Sequence, residues 1–197
     1  MSKIVDYYYT HTSPWTFIGH ERFLKMAKAA GATINFKPSD MSVIFAQSGG
    51  LPMPKRAPQR LAYRMMELKR WRAYHKMDFN LEPKYFPAQG RLAERVAVAA
   101  GKAGLDMGRI SGAILRAVWA EERNIADEAT LVAIADEQGM DGKALLEAAK
   151  TDEMAAAYDA NTAEAMERNV FGAPTYIIDG ENFWGQDRLD FVERALA

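Results

Sequence analysis

Ile4-Val5-Asp6-Tyr7-Tyr8-Tyr9-Thr10-His11-Thr12-Ser13-Pro14-Trp15-Thr16-Phe17 is the stretch from which the fold can be read. Five of its first six residues are β-branched or aromatic, and they run into a Thr/Ser/Pro cluster, which predicts a short strand followed at once by a turn. Ser13 is a favoured helix N-cap. Pro14 suits the first helical position because its missing N–H would be unpaired there anyway. Phe17, Leu24 and Ala27 then keep an apolar face until Gly31 stops the helix. The two-residue period of Ile34 and Phe36 predicts a second strand over 33–36, ended by Pro38. A βαβ unit of this kind pairs its strands in parallel.

At the far end of the chain the strand signal returns. Residues 175–178, an Asp179-Gly180 turn and Phe183-Trp184 read as a hairpin with a tight primed turn, and residues 187–196 as a last helix. Between the two ends the pattern is helical. Helices are expected over 59–74, 91–103, 109–122 and 128–137, with two more between Asp141 and Arg168; Asp127, Asp141 and Thr151 mark starts. A loop over 47–58, containing Gly49-Gly50-Leu51-Pro52-Met53-Pro54, separates these blocks and is irregular enough to carry function. The expected class is therefore α/β: a βαβ…ββα domain from residues 1–45 plus 169–197, with an all-helical domain inserted over 46–168.

Composition narrows the chemistry. Twenty-five basic against 26 acidic residues leave a net charge of -1, which gives no global attraction to nucleic acid or an anionic membrane and points to a small-molecule partner. No run reaches the roughly 18 apolar residues of a membrane span, and Asp6 falls where a signal peptide needs its apolar stretch, so a cytoplasmic location is expected. The chain has no cysteine. Disulfides, thiolate metal sites and a cysteine nucleophile are thereby excluded. The three histidines, His11, His20 and His75, lack helical metal spacing, and no metal is expected.

Three blocks carry a resemblance to a known family. They are Ser13-Pro14-Trp15-Thr16-Phe17; Phe86-Pro87 after the long helix with Arg70-Trp71; and Val170 to Leu189, ending in Trp184-Gly185-Gln186-Asp187-Arg188-Leu189. Over essentially its whole length the chain resembles the DsbA-like branch of the thioredoxin superfamily, and within it the 2-hydroxychromene-2-carboxylate isomerases and the similar kappa-class glutathione transferases. The resemblance implies a thioredoxin-like domain with a helical insertion, glutathione as cofactor, a small aromatic-derived substrate and a homodimer. A C-x-x-C of the disulfide-exchanging branch would fall on Ser13 and Thr16, so hydroxyls replace both sulfurs.

Residue by residue, the implied site begins at Ser13. A serine at a helix start with no adjacent base is a poor nucleophile but a good donor beside the positive helix end, suited to stabilising a thiolate. Read alone, it is a helix cap. Pro174 would be a trans proline entering a strand on base rates, whereas the resemblance makes Ala173-Pro174 the cis peptide facing the helix start, leaving the Ala173 backbone free for a peptide-like ligand. Asp187, and less firmly Arg188, would hold the γ-glutamyl end of glutathione; spacing alone reads them equally as a cap and a solvated cation. For substrate, the resemblance points to Trp15 as a pocket wall and to Arg60, Tyr63 and Gln89. The isomerases tend to carry lysine at Arg60 and asparagine near Gln89, departures that bear on the exact substrate because arginine and lysine differ in reach and shape. Lys55 and Arg56 read as solvated surface charges. The expected activity is a glutathione-dependent cis-trans isomerisation of 2-hydroxychromene-2-carboxylate-type substrates in aromatic degradation. A kappa-like transferase that releases its conjugate, or a non-catalytic binding protein, are the alternatives.

Overall fold

The structure is a computed structural model describing residues 2–197. Both ends of the chain meet in one four-stranded sheet of order β2-β1-β3-β4, built from β1 (Ile4–Tyr9), β2 (Thr33–Pro38), β3 (Thr175–Ile178) and β4 (Glu181–Trp184). β1 pairs in parallel with β2, Tyr7 opposite Phe36, and antiparallel with β3, Tyr7 opposite Tyr176. The hairpin turn has positive φ at both Asp179 (50°) and Gly180 (85°), the conformation a primed turn needs.

Strand alternation divides β1 between two layers. Val5, Tyr7 and Tyr9 face helices α1 (Pro14–Ala29) and α9 (Leu189–Leu196), where Tyr7 stacks between Tyr9 and Tyr176 at ring separations of 4.5 and 5.2 Å. Tyr8 faces the other way, into a small cluster with Ile177 of β3, Met41 and Ile44 of α2 (Met41–Ser48) and Ala165 of α8 (Asp152–Glu167). α1 serves two cores. Its Phe23 and Ala27 pack on the sheet, while Phe17 and Ile18 enter the helical core built by α4 (Arg91–Lys102), α5 (Met107–Trp119), α6 (Glu128–Glu137) and α7 (Gly142–Ala149). The remaining helix, α3 (Pro58–Tyr74), fully buries only Leu68 along its 17 residues.

Helix α2 is absent from the sequence-based expectation, and the expected domain boundary at 45/46 falls inside it. It is only eight residues long, started by Asp40, whose carboxylate accepts the Ser42 N–H at 2.9 Å, and closed by Gly49 at φ 75°. α5 starts at Met107 rather than 109 because Asp106 caps it through the Arg109 N–H at 2.9 Å, and it ends at Trp119. A single 3-10 turn, Gln186–Arg188, precedes α9, so that helix begins at Leu189 rather than 187. The caps expected at Asp127, Asp141 and Thr151 accept the N–H groups of Thr130, Ala144 and Met154. Among the described residues no helix is long and apolar enough to cross a membrane.

Candidate active site

Ser13 occupies the N-cap of α1 with extended backbone, and its Oγ accepts the Thr16 N–H at 3.2 Å. The hydroxyl donates in turn to the carbonyl of Ala173 at 3.3 Å, joining positions 160 apart in sequence. That bond is long for O–H···O, whose usual length is about 2.7–2.8 Å, so the proton is loosely held and can turn to a better acceptor at small cost. Pro14 has no N–H, and the first-turn amide of Trp15 has no partner among the described residues. A polarised hydroxyl and a free amide thus stand together at the positive end of a 16-residue helix. Thr16, where the resemblance puts a second cysteine, is fully buried and its Oγ1 is unpartnered.

The Ala173–Pro174 peptide is cis and lies against this helix start. The expectation of a free Ala173 backbone needs correction on one side: its carbonyl is taken by Ser13, because the serine hydroxyl is within reach. Its N–H has no partner among the described residues. The Pro174 carbonyl accepts the Gly185 N–H at 2.9 Å, which brings the turn bearing Asp187 alongside. Gly185 has φ 103°, and a Cβ there would lie 2.4 Å from Asp187 Oδ1. The carboxylate therefore folds back over the glycine. α9 has no side-chain cap, so Asp187 is not spent as one; it lies 3.3 Å from the Arg188 guanidinium, and both side chains are about half exposed. Gln186, just before Asp187, is buried and accepts from Arg22 of α1 at 3.1 Å.

Ser13, Ala173, Pro174, Asp187 and Arg188 thus form one continuous run of backbone and side chain. Trp15 is half-buried and packs against the helical core. Arg60, Tyr63 and Gln89 are exposed and make no hydrogen bond to that run; Tyr63 instead carries the Arg70 guanidinium 6.0 Å above its ring.

Behind the Ser13 loop stands a buried pair that sequence reasoning missed. Glu94 of α4 is 1% exposed and its Oε1 accepts the Thr10 hydroxyl at 2.8 Å and the His11 N–H at 2.9 Å, while Oε2 lies 2.8 Å from Nδ1 of the fully buried His11. Thr10 passes the connection to the Thr12 hydroxyl at 3.1 Å, and the indole of Trp119 holds the His11 carbonyl at 3.3 Å. Glu94 clamps the loop from which Ser13 projects. Its one sequence signal is a carboxylate on the apolar face formed by Ala93, Ala97 and Ala100. His20, further along α1, is also buried, and burial pushes its pKa down to about 4. Neutral, it faces the Gly108 carbonyl through Nε2 at 2.9 Å and the Tyr7 hydroxyl through Nδ1 at 3.2 Å.

A four-stranded mixed sheet, a helix start opposed by a cis-proline and a helical insertion define a thioredoxin-fold protein in which a hydroxyl stands at the thiol position. The chain belongs to the family of DSBA-like thioredoxin domains, whose profile matches residues 4–197. It is 28% identical over 199 residues to the 2-hydroxychromene-2-carboxylate isomerase of Sphingobium xenophagum, covering 100% of this chain and 99% of that one. A solved structure of a 2-hydroxychromene-2-carboxylate isomerase superposes with a TM-score of 0.86 at 26% identity, over 98% of this chain and 94% of that chain. Glutathione S-transferase kappa 1 of Homo sapiens is 24% identical over 209 residues, covering 100% and 92%. Relatives spanning the full chain are thus named isomerases, and one is named a glutathione transferase.

Proposed function

We propose that this chain is a glutathione-dependent cis-trans isomerase of the 2-hydroxychromene-2-carboxylate type, working in the cytoplasm on aromatic-derived unsaturated keto acids. The observation that carries the reading is the pairing of Ser13 Oγ with the cis Ala173–Pro174 peptide in a chain without cysteine. A site of thioredoxin geometry that lacks its own sulfur needs one from a ligand. The groups present fit a thiol tripeptide: the Ser13 hydroxyl and Trp15 N–H for an anionic sulfur, the Ala173 N–H for an extended backbone, and Asp187 for an ammonium.

Ser13 releases the Ala173 carbonyl and donates to the sulfur, and the helix-start dipole favours the deprotonated form. When bound, glutathione supplies a thiolate that adds reversibly to a conjugated double bond, giving a rotatable single bond. Glu94 keeps the 10–13 loop in register during turnover, and Arg60 offers a cation to the substrate carboxylate.

The test is the ultraviolet difference spectrum of glutathione titrated into the protein across a pH series, beside Ser13→Ala. Thiolate absorbance well below the pH where free glutathione ionises, lost in the variant, is the expected result. No bound thiolate at any pH defeats the reading. Turnover then separates the activities, since an isomerase leaves total glutathione unchanged and a transferase consumes it.

A further inference from the structure

Five of the eleven arginines over residues 46–168 face a carboxylate, among them Arg70 with Glu67, Arg91 with Asp40 and Arg123 with Glu137. Three near the candidate site do not. Arg60 and Arg64 lie one helical turn apart on α3, and Arg56 lies in the extended segment just before that helix; none has an acidic partner among the described residues. Among the described residues Arg56 donates only to the Leu51 carbonyl, at 2.6 Å, and Arg64 has no hydrogen-bond partner. Arg56 and Arg64 are half-buried, and desolvation first and a neighbouring guanidinium second lower the basicity of both, through Arg60 for Arg56 and through Arg56 for Arg64.

Two aromatic rings link Arg64 and Arg56 to the elements that meet at Ser13. The Arg64 guanidinium lies 5.8 Å from the centre of Phe86. Phe86 packs at 4.9 Å on Trp119, whose indole holds the His11 carbonyl, and the same loop continues to Gly90, where a Cβ would lie 2.9 Å from Thr12. Arg56 lies 6.0 Å from the centre of Phe45, which packs in the cluster that also contains Ala173. One cation is thus linked through Phe86 and Trp119 to the loop preceding Ser13, and the other rests on Phe45, which packs against the same cluster as Ala173. Like charges gathered and partly desolvated without counter-charge are an unfavourable arrangement that an anion relieves.

We propose that Arg56 and Arg64 join Arg60 in a guanidinium cluster that binds a second anionic group on the substrate, so that the preferred substrate is an unsaturated or aromatic acid carrying two negative charges. This rests on the proposed function for the word substrate but not for the site itself. A planar guanidinium fork matches a carboxylate in two hydrogen bonds, and a cluster of several forks favours a dianion over a monoanion.

The test is calorimetric titration of two probes, benzene-1,2-dicarboxylate and benzoate, into the full chain saturated with glutathione, with Arg64→Met and Arg56→Gln beside it. The dicarboxylate is expected to bind about tenfold or more tighter than benzoate, and each variant to lose about tenfold for the dicarboxylate alone, as expected for one charge-assisted contact. The thiolate spectrum of bound glutathione stays unchanged in both variants. Equal binding of the two acids overturns the proposal. So does a variant that weakens glutathione but not the dicarboxylate, because the cluster would then hold the glycine carboxylate of glutathione. A dicarboxylate preference that persists where no thiolate forms leaves the cluster standing and removes the glutathione reading. Raising salt on the unaltered protein needs no variant: a preference carried by charge narrows, and one indifferent to salt overturns the proposal.

Discussion

Removing the carboxylate of Glu94 tests whether the Ser13 loop is held from behind. Glu94→Ala orphans the His11 N–H, takes the carboxylate acceptor from the Thr10 hydroxyl, and removes the acidic neighbour of the buried His11 ring. Each buried donor left unpaired costs about 1–3 kcal/mol. Water entering the vacated space recovers part of this, and breaking a buried pair from one side costs about 3–5 kcal/mol as a rule. That range is the expected loss in denaturant unfolding, and it corresponds to a fall in Tm of about 6–20 °C for a domain of this size. Glu94→Gln keeps an acceptor oxygen but turns an NH2 group toward the donors, so its loss should be smaller than that of Glu94→Ala. The same variants should weaken glutathione thiolate formation in the order wild type, Gln, Ala, because the Ser13 hydroxyl is displaced. A Glu94→Ala protein within about 1 kcal/mol of wild type would refute the clamp, since that is less than the cost of one orphaned donor. Stability lost with an unaltered thiolate spectrum would separate Glu94 from the site.

The buried His20 makes stability depend on pH. Its folded pKa of about 4 lies below the ordinary 6.5, so the unfolded chain binds the extra proton between these values; stability is complete above pH 6.5 and falls by about 3 kcal/mol as pH drops toward 4. His20→Gln should flatten the unfolding free energy over that window, and a variant with the wild-type slope would mean another group titrates there. Gly185→Ala puts a Cβ into the Asp187 carboxylate at a positive φ, with an expected loss of about 1–3 kcal/mol and weaker glutathione binding; calorimetry showing wild-type affinity would count against Asp187 as a ligand.

Much of the fold is legible because its signals are local. Ser13-Pro14 starts α1, Asp127, Asp141 and Thr151 start helices through amides three residues on, and Asp179-Gly180 turns a hairpin; each choice is made within a few residues. The absence of cysteine likewise decides by itself that any sulfur chemistry must be borrowed. Helix α2 escaped because eight residues containing Val43, Ile44 and Phe45 offer little helical period of their own, and it is held by packing Met41 and Ile44 beneath Tyr8.

The candidate site divides the same way. Ser13, Pro174 and Asp187 could be named from motifs, but that the Ser13 hydroxyl points at the Ala173 carbonyl is a contact between residues 160 positions apart. Glu94 reaches Thr10 and His11 across 84 and 83 positions, and Arg56, read in sequence as a solvated charge, becomes half-buried only when α2 brings Phe45 beside it. Local sequence sets backbone dihedrals and caps because those energies arise between neighbours in the chain. Which buried carboxylate meets which loop, and which cations are left without a counter-charge, depends on how whole elements pack, and tertiary structure alone decided it.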